Sequence, residues 1–327
     1  MMTRRALVGA ALSAAGPPAL ASAQGAAGYP DRPVRVIVPY PPGGSVDVLV
    51  RLLAERMRDQ LGQPCVVENR SGAGGTIGID AAAKAAPDGY TVGAATLGQF
   101  SINQYLYRRM PFDPERDLQP VSLTWELPNV AVVASDKVPA RTLAEFVAWA
   151  KARPTSINLG SPGVGTSPHL SGELFGVRAG VAITHVPFRG AAQTLPALLA
   201  GDVDFAIDNL ASYVPAIQQG LLRALAVTSA ERWPLLPDVP TMAEAGMPDF
   251  VVTSWAGWVV PKRTPPAIVD RLADTQRQLA ADQDLQQRFL TAGGRLVSST
   301  PEEFAARAAR ERPMWREMVR LSGATAD

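Results

Sequence analysis

Short apolar runs rich in Val and Ile punctuate the chain at Val34 to Val38, Cys65 to Val67, Thr91 to Ala95, Val130 to Ala134, Ile157 to Leu159 and Ile183 to Val186. Most are bounded by Gly, Pro or Asn, and runs of that length and branching predict buried strands. Between them the spacing becomes helical. Val48, Leu49, Leu52, Leu53, Met57 and Leu61 form a stripe on one face, with Arg51, Glu55, Arg58 and Asp59 mostly on the other. Strand and helix in alternation predict an α/β fold with mainly parallel sheets. Thr142 with Glu145, and Thr300 with Glu303, have the spacing of a capping box, so helices are expected to start at both. Pro265 to Leu321 is helical in pattern, with a short strand expected at Arg295 to Val297 after Gly293-Gly294. Helix-forming content falls at Val121 to Asn129 and Val251 to Val260, which are expected to cross between two lobes. Gly201 to Asp208 reads as a strand whose alternation turns Asp202, Asp204 and Asp208 to one face. A metal cluster and a set of solvated or capping carboxylates are both readings of that pattern, the second the commoner.

The chain is 327 residues long. At roughly 150 residues per domain, that length accommodates two lobes, each able to bury its own core, with a ligand cleft between them. The expected division is a leader at 1–23, a first lobe from 24–126 plus 253–327, and a second lobe from 127–252. The leader reading rests on Arg4 and Arg5, the small and apolar stretch from Ala6, and Ala21-Ser22-Ala23. These match the three regions of a secretory signal cleaved after about Ala23, which implies a periplasmic protein. The Arg pair suits both general and twin-arginine export. Lys plus Arg is 31 against 30 Asp plus Glu, a balance that carries no signal for nucleic acid or an anionic membrane. Cys65 is the sole cysteine, which excludes an internal disulfide, and His169 and His185 are the only histidines. That inventory argues against zinc chemistry, and neither metal nor cofactor is expected.

Three glycine loops each open a helix. The first is Pro39-Tyr40-Pro41-Pro42-Gly43-Gly44-Ser45-Val46-Asp47, the second Asn69-Arg70-Ser71-Gly72-Ala73-Gly74-Gly75-Thr76, and the third runs from Gly160-Ser161-Pro162-Gly163 through Thr166 and Ser167 to His169. Glycine lets backbone N–H groups approach a ligand, and the helix behind adds unpaired donors and a partial positive charge. Such a place attracts a carboxylate or phosphate. Any one loop is equally well a tight connection; three together favour binding. Phosphate-specific patterns fail, because Thr166 stands where a P-loop needs Lys, and the dinucleotide spacing from Gly72 and Gly74 would put its third glycine at Ile77. A hydrolase would draw on Ser161 or Ser167 with His169, but no candidate serine sits in a nucleophile elbow. His169 is expected at a helix start and His185 within a strand. Asp47 is expected to brace a helix N-terminus.

These loops occur among further motifs in a familiar order: Val67-Glu68-Asn69-Arg70, Pro87-Asp88-Gly89-Tyr90, Pro111-Phe112-Asp113-Pro114, Pro187-Phe188-Arg189-Gly190 and Leu236-Pro237-Asp238-Val239-Pro240-Thr241. The chain resembles, over nearly its full length, the extracytoplasmic solute-binding proteins of the tripartite tricarboxylate transporter type, the Bug family. The resemblance implies a two-lobe α/β periplasmic binding protein (type II, Venus flytrap) that closes on a small ligand and catalyses nothing. It implies that the loops at Tyr40, Pro41, Gly43, Gly44 and Ser45, and at Gly72, Ala73, Gly74 and Gly75, hold a ligand carboxylate, commonly through ordered waters. It further implies second-lobe contacts from Ser161, Gly163, Thr166, Ser167 and His169, with Phe188, Arg189, Gly190 and Asp208 approaching the cleft. Gln99 and Phe100, in a loop where relatives vary, are the candidates for selectivity.

The expected ligand is a small organic acid or amino acid, and the implied partner is a two-component integral membrane permease, with the receptor itself monomeric. A sensory module presenting the ligand to a receptor, and an exported serine hydrolase, are the rival readings.

Overall fold

The computed structural model describes residues 28–326, so the expected leader and its cleavage site lie outside the described residues. β1 (Val34–Val38) leads through the first glycine loop into α1 (Ser45–Leu61), which ends at Gly62 in the left-handed conformation. β2 (Cys65–Asn69), α2 (Thr76–Ala83) and β3 (Thr91–Thr96) follow. β1 lies between β2 and β3, all parallel, with Val36 opposite both Val67 and Val92. After a wide turn at Gly98–Ile102 come α3 (Asn103–Leu106) and the long β4 (Leu118–Ala134). A second α/β unit contains α4 (Leu143–Lys151), β5 (Ile157–Ser161), α5 (Ser167–Ala179), β6 (Ile183–Pro187) and α6 (Ala191–Ala200). It ends with β7 (Ala206–Asn209), α7 (Val214–Gln218) and β8 (Leu222–Val227). β9 (Thr253–Pro261) returns, followed by α8 (Pro266–Ala280), α9 (Gln283–Thr291), β10 (Arg295–Leu296) and α10 (Pro301–Ser322).

The α/β class and the short C-terminal strand are as expected, but the sheets are not mainly parallel. β4 pairs antiparallel with β7, β8, β9 and β10, and β9 antiparallel with β3. Apolar runs report burial but not direction, and antiparallel partners need no crossover helix between them. β4 changes partner midway: Pro128 lies opposite Thr253 of β9, and Asn129 opposite Asn209 of β7. A proline, which donates no ladder hydrogen bond, is tolerated at such a junction.

Alternation along β4 supplies two cores. Val121, Trp125, Val130 and Val132 enter one with Leu49, Leu222 and Trp258; Leu123, Ala131 and Val133 enter the other with Phe146, Phe175 and Phe304. Each core therefore spans both ends of the strand.

The two expected caps differ. At α10, Thr300 and Glu303 form the complete reciprocal box. At α4, Thr142 accepts from Glu145 N, but the Glu145 carboxylate takes the N–H of Arg141 instead. The strand expected from Gly201 is shorter than its pattern. Gly201 closes α6 in the left-handed region at φ 86°, and residues 202–204 bend before β7 begins. Asp202, Asp204 and Asp208 consequently share no strand face: Asp202 is exposed, Asp204 accepts from Asn158 N, and Asp208 accepts from Tyr213 OH.

Candidate functional site

A cleft where the first and third glycine loops meet holds about 620 Å³ of empty volume, part of it open to solvent. Three helix N-termini reach it. α1 presents Gly44 and Ser45, α5 presents Thr166 and Ser167, and α6 presents Gly190 and Ala191. Neither Gly44 of α1 nor Gly190 of α6 caps its helix with a side chain, and Ser45 N donates to Ser212 Oγ, so the positive ends of these helix dipoles point toward the cleft. On α5 the Thr166 hydroxyl accepts from His169 N.

Side-chain hydroxyls line the same space. Ser45 Oγ is 2.6 Å from Ser212 Oγ, and Ser167 Oγ is 2.6 Å from Ser254 Oγ. Asn209 donates to Ser254 Oγ and to Asn129 Oδ1, which ties the ends of β7 and β9 to β4 at its change of partner. Trp125, Leu127 and Trp255 add an apolar wall. Among the described residues that line the cleft there is no Lys, Arg or His; the ionisable groups are Tyr40 and Asp208.

Asp208 is 1% exposed and accepts from Asn209 N at 2.6 Å and from Tyr213 OH at 2.8 Å. Burial pushes its carboxyl up to about 7, outweighing both hydrogen bonds. Burial also raises the Tyr40 phenol, although Thr96 and Gln99 oppose the shift through hydrogen bonds. Asp47 lies just behind the cleft. Its burial is outweighed by hydrogen bonds from Arg51, Gly43 N and Asn69, which hold its carboxyl below the usual range. Asn69 also donates to Tyr40 O, so this pair fixes the first glycine loop.

Of the expected site residues, Tyr40, Pro41, Gly44, Ser45, Thr166, Ser167, Gly190 and Asp208 line this cleft. Gly72, Ala73, Gly74, Gly75, Gly163, Phe188 and Arg189 line an adjoining recess that shares Tyr40 and Pro162 with it. Gly43 stands one step back, its N–H donated to Asp47. The selectivity candidates lie elsewhere. Gln99 is buried as a strut, with Nε2 donating to Tyr40 OH and Gly74 O and Oε1 accepting from Thr96 N. Phe100 packs against Phe304 in the core, ring centroids 5.0 Å apart. Trp125, Leu127 and Trp255, which lie in the segments expected to cross between lobes and were not singled out from the sequence, also line the cleft.

The hydrolase pairing does not form. Ser161 is fully buried and bonds His185 Nε2 at 2.6 Å rather than His169, while His169 Nδ1 accepts from Gly165 N. The two imidazoles stack at 3.9 Å. Burial drives His169 down to about 3, helped by His185, and His185 down to about 4, so both rings are neutral at pH 7.

The two sides of the cleft touch through glycine. A Cβ on Gly74 would fall 2.6 Å from Val164 O, and one on Gly165 2.6 Å from Asn103 Oδ1. These contacts leave no room for any larger residue.

The family model described as "Tripartite tricarboxylate transporter family receptor" matches residues 49–311. Protein BugT of Bordetella pertussis is 38% identical over 325 residues, covering 99% of this chain and 98% of its own. Among solved structures, an R. palustris protein with adipate superposes with a TM-score of 0.88 at 35% identity, over 91% of this chain and 99% of that one. MatC from Rhodopseudomonas palustris with bound malate superposes at 0.83 and 33% identity, over 89% of this chain and all of the other. Together with a two-lobe α/β fold and a cleft of helix N-termini, these matches identify the chain as a member of the tripartite tricarboxylate transporter receptor family, of the Bug type.

Proposed function

We propose that this protein is a periplasmic receptor that captures a small carboxylate by closing two lobes, 24–126 plus 253–327 and 127–252, and delivers it to a two-component membrane permease. The observation that carries the reading is the convergence of the α1, α5 and α6 N-termini on a cleft lined by hydroxyls and, among the described residues, by no basic side chain, with Arg189 in the recess beside it. An anion there is held by neutral donors and helix dipoles, each hydrogen bond to the charged group contributing roughly 1.5–3 kcal/mol. The glycine loop at Gly72 to Gly75, through the recess that adjoins Tyr40, completes the carboxylate's surroundings.

The remainder of the ligand faces Trp125, Leu127 and Trp255 on one side and Asp208 on the other. Near neutral pH the Asp208 carboxyl is poised between its two forms. An ionised Asp208 repels a second carboxylate and accepts from an amide, amine or hydroxyl, so the ligand carries its donor at the end distant from its carboxylate. On this reading ω-amino, ω-amido or ω-hydroxy acids bind more tightly here than adipate or malate, the ligands with which two relatives were solved.

The leader removed after Ala23 sends the chain to the periplasm, where it acts as a monomer without cofactor. Isothermal titration of the refolded, ligand-stripped mature protein tests the assignment with adipate, its monoamide and its diamide. Binding of the monoamide, weaker binding of adipate and none of the diamide is the expected order. Equal binding of the diamide would refute carboxylate capture.

A further inference from the structure

We propose that His169, Glu173 and His185 form a binding site for one divalent transition-metal ion of the zinc class, behind the glycine loop that leads into α5. The chain's only two histidines meet here, and the composition that argued against zinc omitted the carboxylate that joins them. His169 and Glu173 are four residues apart on α5, on one helical face. His185 comes from β6, opposite Leu159 of β5. One potential ligand atom from each of the three side chains lies within 4.8 Å of the others.

The donor set selects the ion. Two imidazoles and a carboxylate suit Zn²⁺, Ni²⁺ or Cu²⁺ and are a poor match for Mg²⁺ or Ca²⁺, which take oxygen ligands. Three protein ligands leave a fourth position for water in a tetrahedral site. Outer contacts that orient metal-bound histidines are also present. Ser161 Oγ lies 2.6 Å from His185 Nε2, which leaves the other ring nitrogen available. Glu173 is half-buried beside the two rings, so its carboxylate is brought to them within the fold and not from free solvent. The rings are stacked at 21° rather than converged, so taking up an ion at about 2.0–2.1 Å from each nitrogen requires a modest rotation of both.

The position gives the ion a structural consequence. His169 accepts from Gly165 N, and Ser161, the partner of His185, accepts from Gly163 N. An ion joining α5 to β6 would stiffen the loop whose Thr166 and Ser167 face the cleft.

The test uses untagged mature protein treated with a chelator and dialysed, then titrated with zinc chloride by calorimetry. One ion per chain is expected, with Glu173→Gln and His185→Gln each weakening binding at least about tenfold. Both variants' ion-free thermal midpoints establish that they fold. Because the chain holds no other histidine, long-range proton–nitrogen NMR of the parent reports the site even if a variant fails to fold: both imidazole systems are expected to shift on zinc addition. Substoichiometric binding, affinity unchanged in both variants, or imidazole signals unmoved by saturating zinc would each overturn the proposal.

Discussion

Asp208 carries the main chemical decision of the cleft. Its folded-state carboxyl sits at about 7 against an ordinary 3.8, because burial outweighs the hydrogen bonds from Asn209 N and Tyr213 OH. Between about pH 4 and pH 7 the native protein therefore holds a proton that the unfolded chain has released. Stability from this group is complete below pH 4 and is lost as pH rises through 7. Replacing it by Asn is expected to flatten that slope, read as urea midpoints across pH 4 to 8, and to raise affinity for adipate above pH 7. A midpoint profile identical to the parent's would contradict the assigned burial effect. Asp47 acts structurally: Asp47→Ala removes the acceptor for Gly43 N, Asn69 and Arg51 and is expected to cost about 1–3 kcal/mol in denaturant unfolding. Much of this scale was legible beforehand. Ser45, Thr166 and Ser167 entered through the family resemblance, and all three line the cleft. Trp125 and Trp255 were not foreseen, because their direction depends on the register between β4 and β9, which no local pattern records. Gln99 looked like a contact and proved to be a strut for Tyr40 and Gly74.

At the level of elements, the cleft is a meeting of helix N-termini whose loops must come within backbone distance of one another. Gly74 is the sharpest case, with φ 58° and Val164 O directly opposite. In Gly74→Ala the added Cβ meets a carbonyl that cannot swing aside. Ligand affinity should fall about tenfold or more, while the ligand-free midpoint drops by only about 2–4 °C, from roughly 1 kcal/mol of left-handed strain. A variant that kept full affinity would show that the loops need not approach so closely. The strands behind these loops were readable as Val and Ile runs, since a doubly covered strand is apolar on both faces. β4 was read in two pieces, Val130 to Ala134 as a strand and Val121 to Asn129 as a crossing between lobes, because Pro120 and Pro128 break the pattern of what is one strand, Leu118–Ala134. The Gly201 to Asp208 alternation misled for the opposite reason, because Asp202 and Asp204 in a bend continue the period of Asp208 in β7.

For the whole molecule, the two cores that β4 supplies bind the α/β units into one body, and the cleft lies where that strand changes partner. Length predicted two lobes; only the pairings revealed that the cores run through the crossing rather than stopping at it. A ligand that touches both sides only when they are together shifts the population toward the closed form. X-ray scattering should give a radius of gyration of about 19 Å for the ligand-bound mature monomer and a larger value without ligand. The most direct test of carboxylate capture uses Trp125 and Trp255, which line the cleft. Tryptophan emission of the ligand-stripped protein, titrated with a carboxylate and with its analogue amidated at every carboxyl, should change saturably with the acid, remain flat with the amide, and respond at least about tenfold more weakly to the acid in Ser167→Ala. A saturable change of equal strength with the amide would contradict the account.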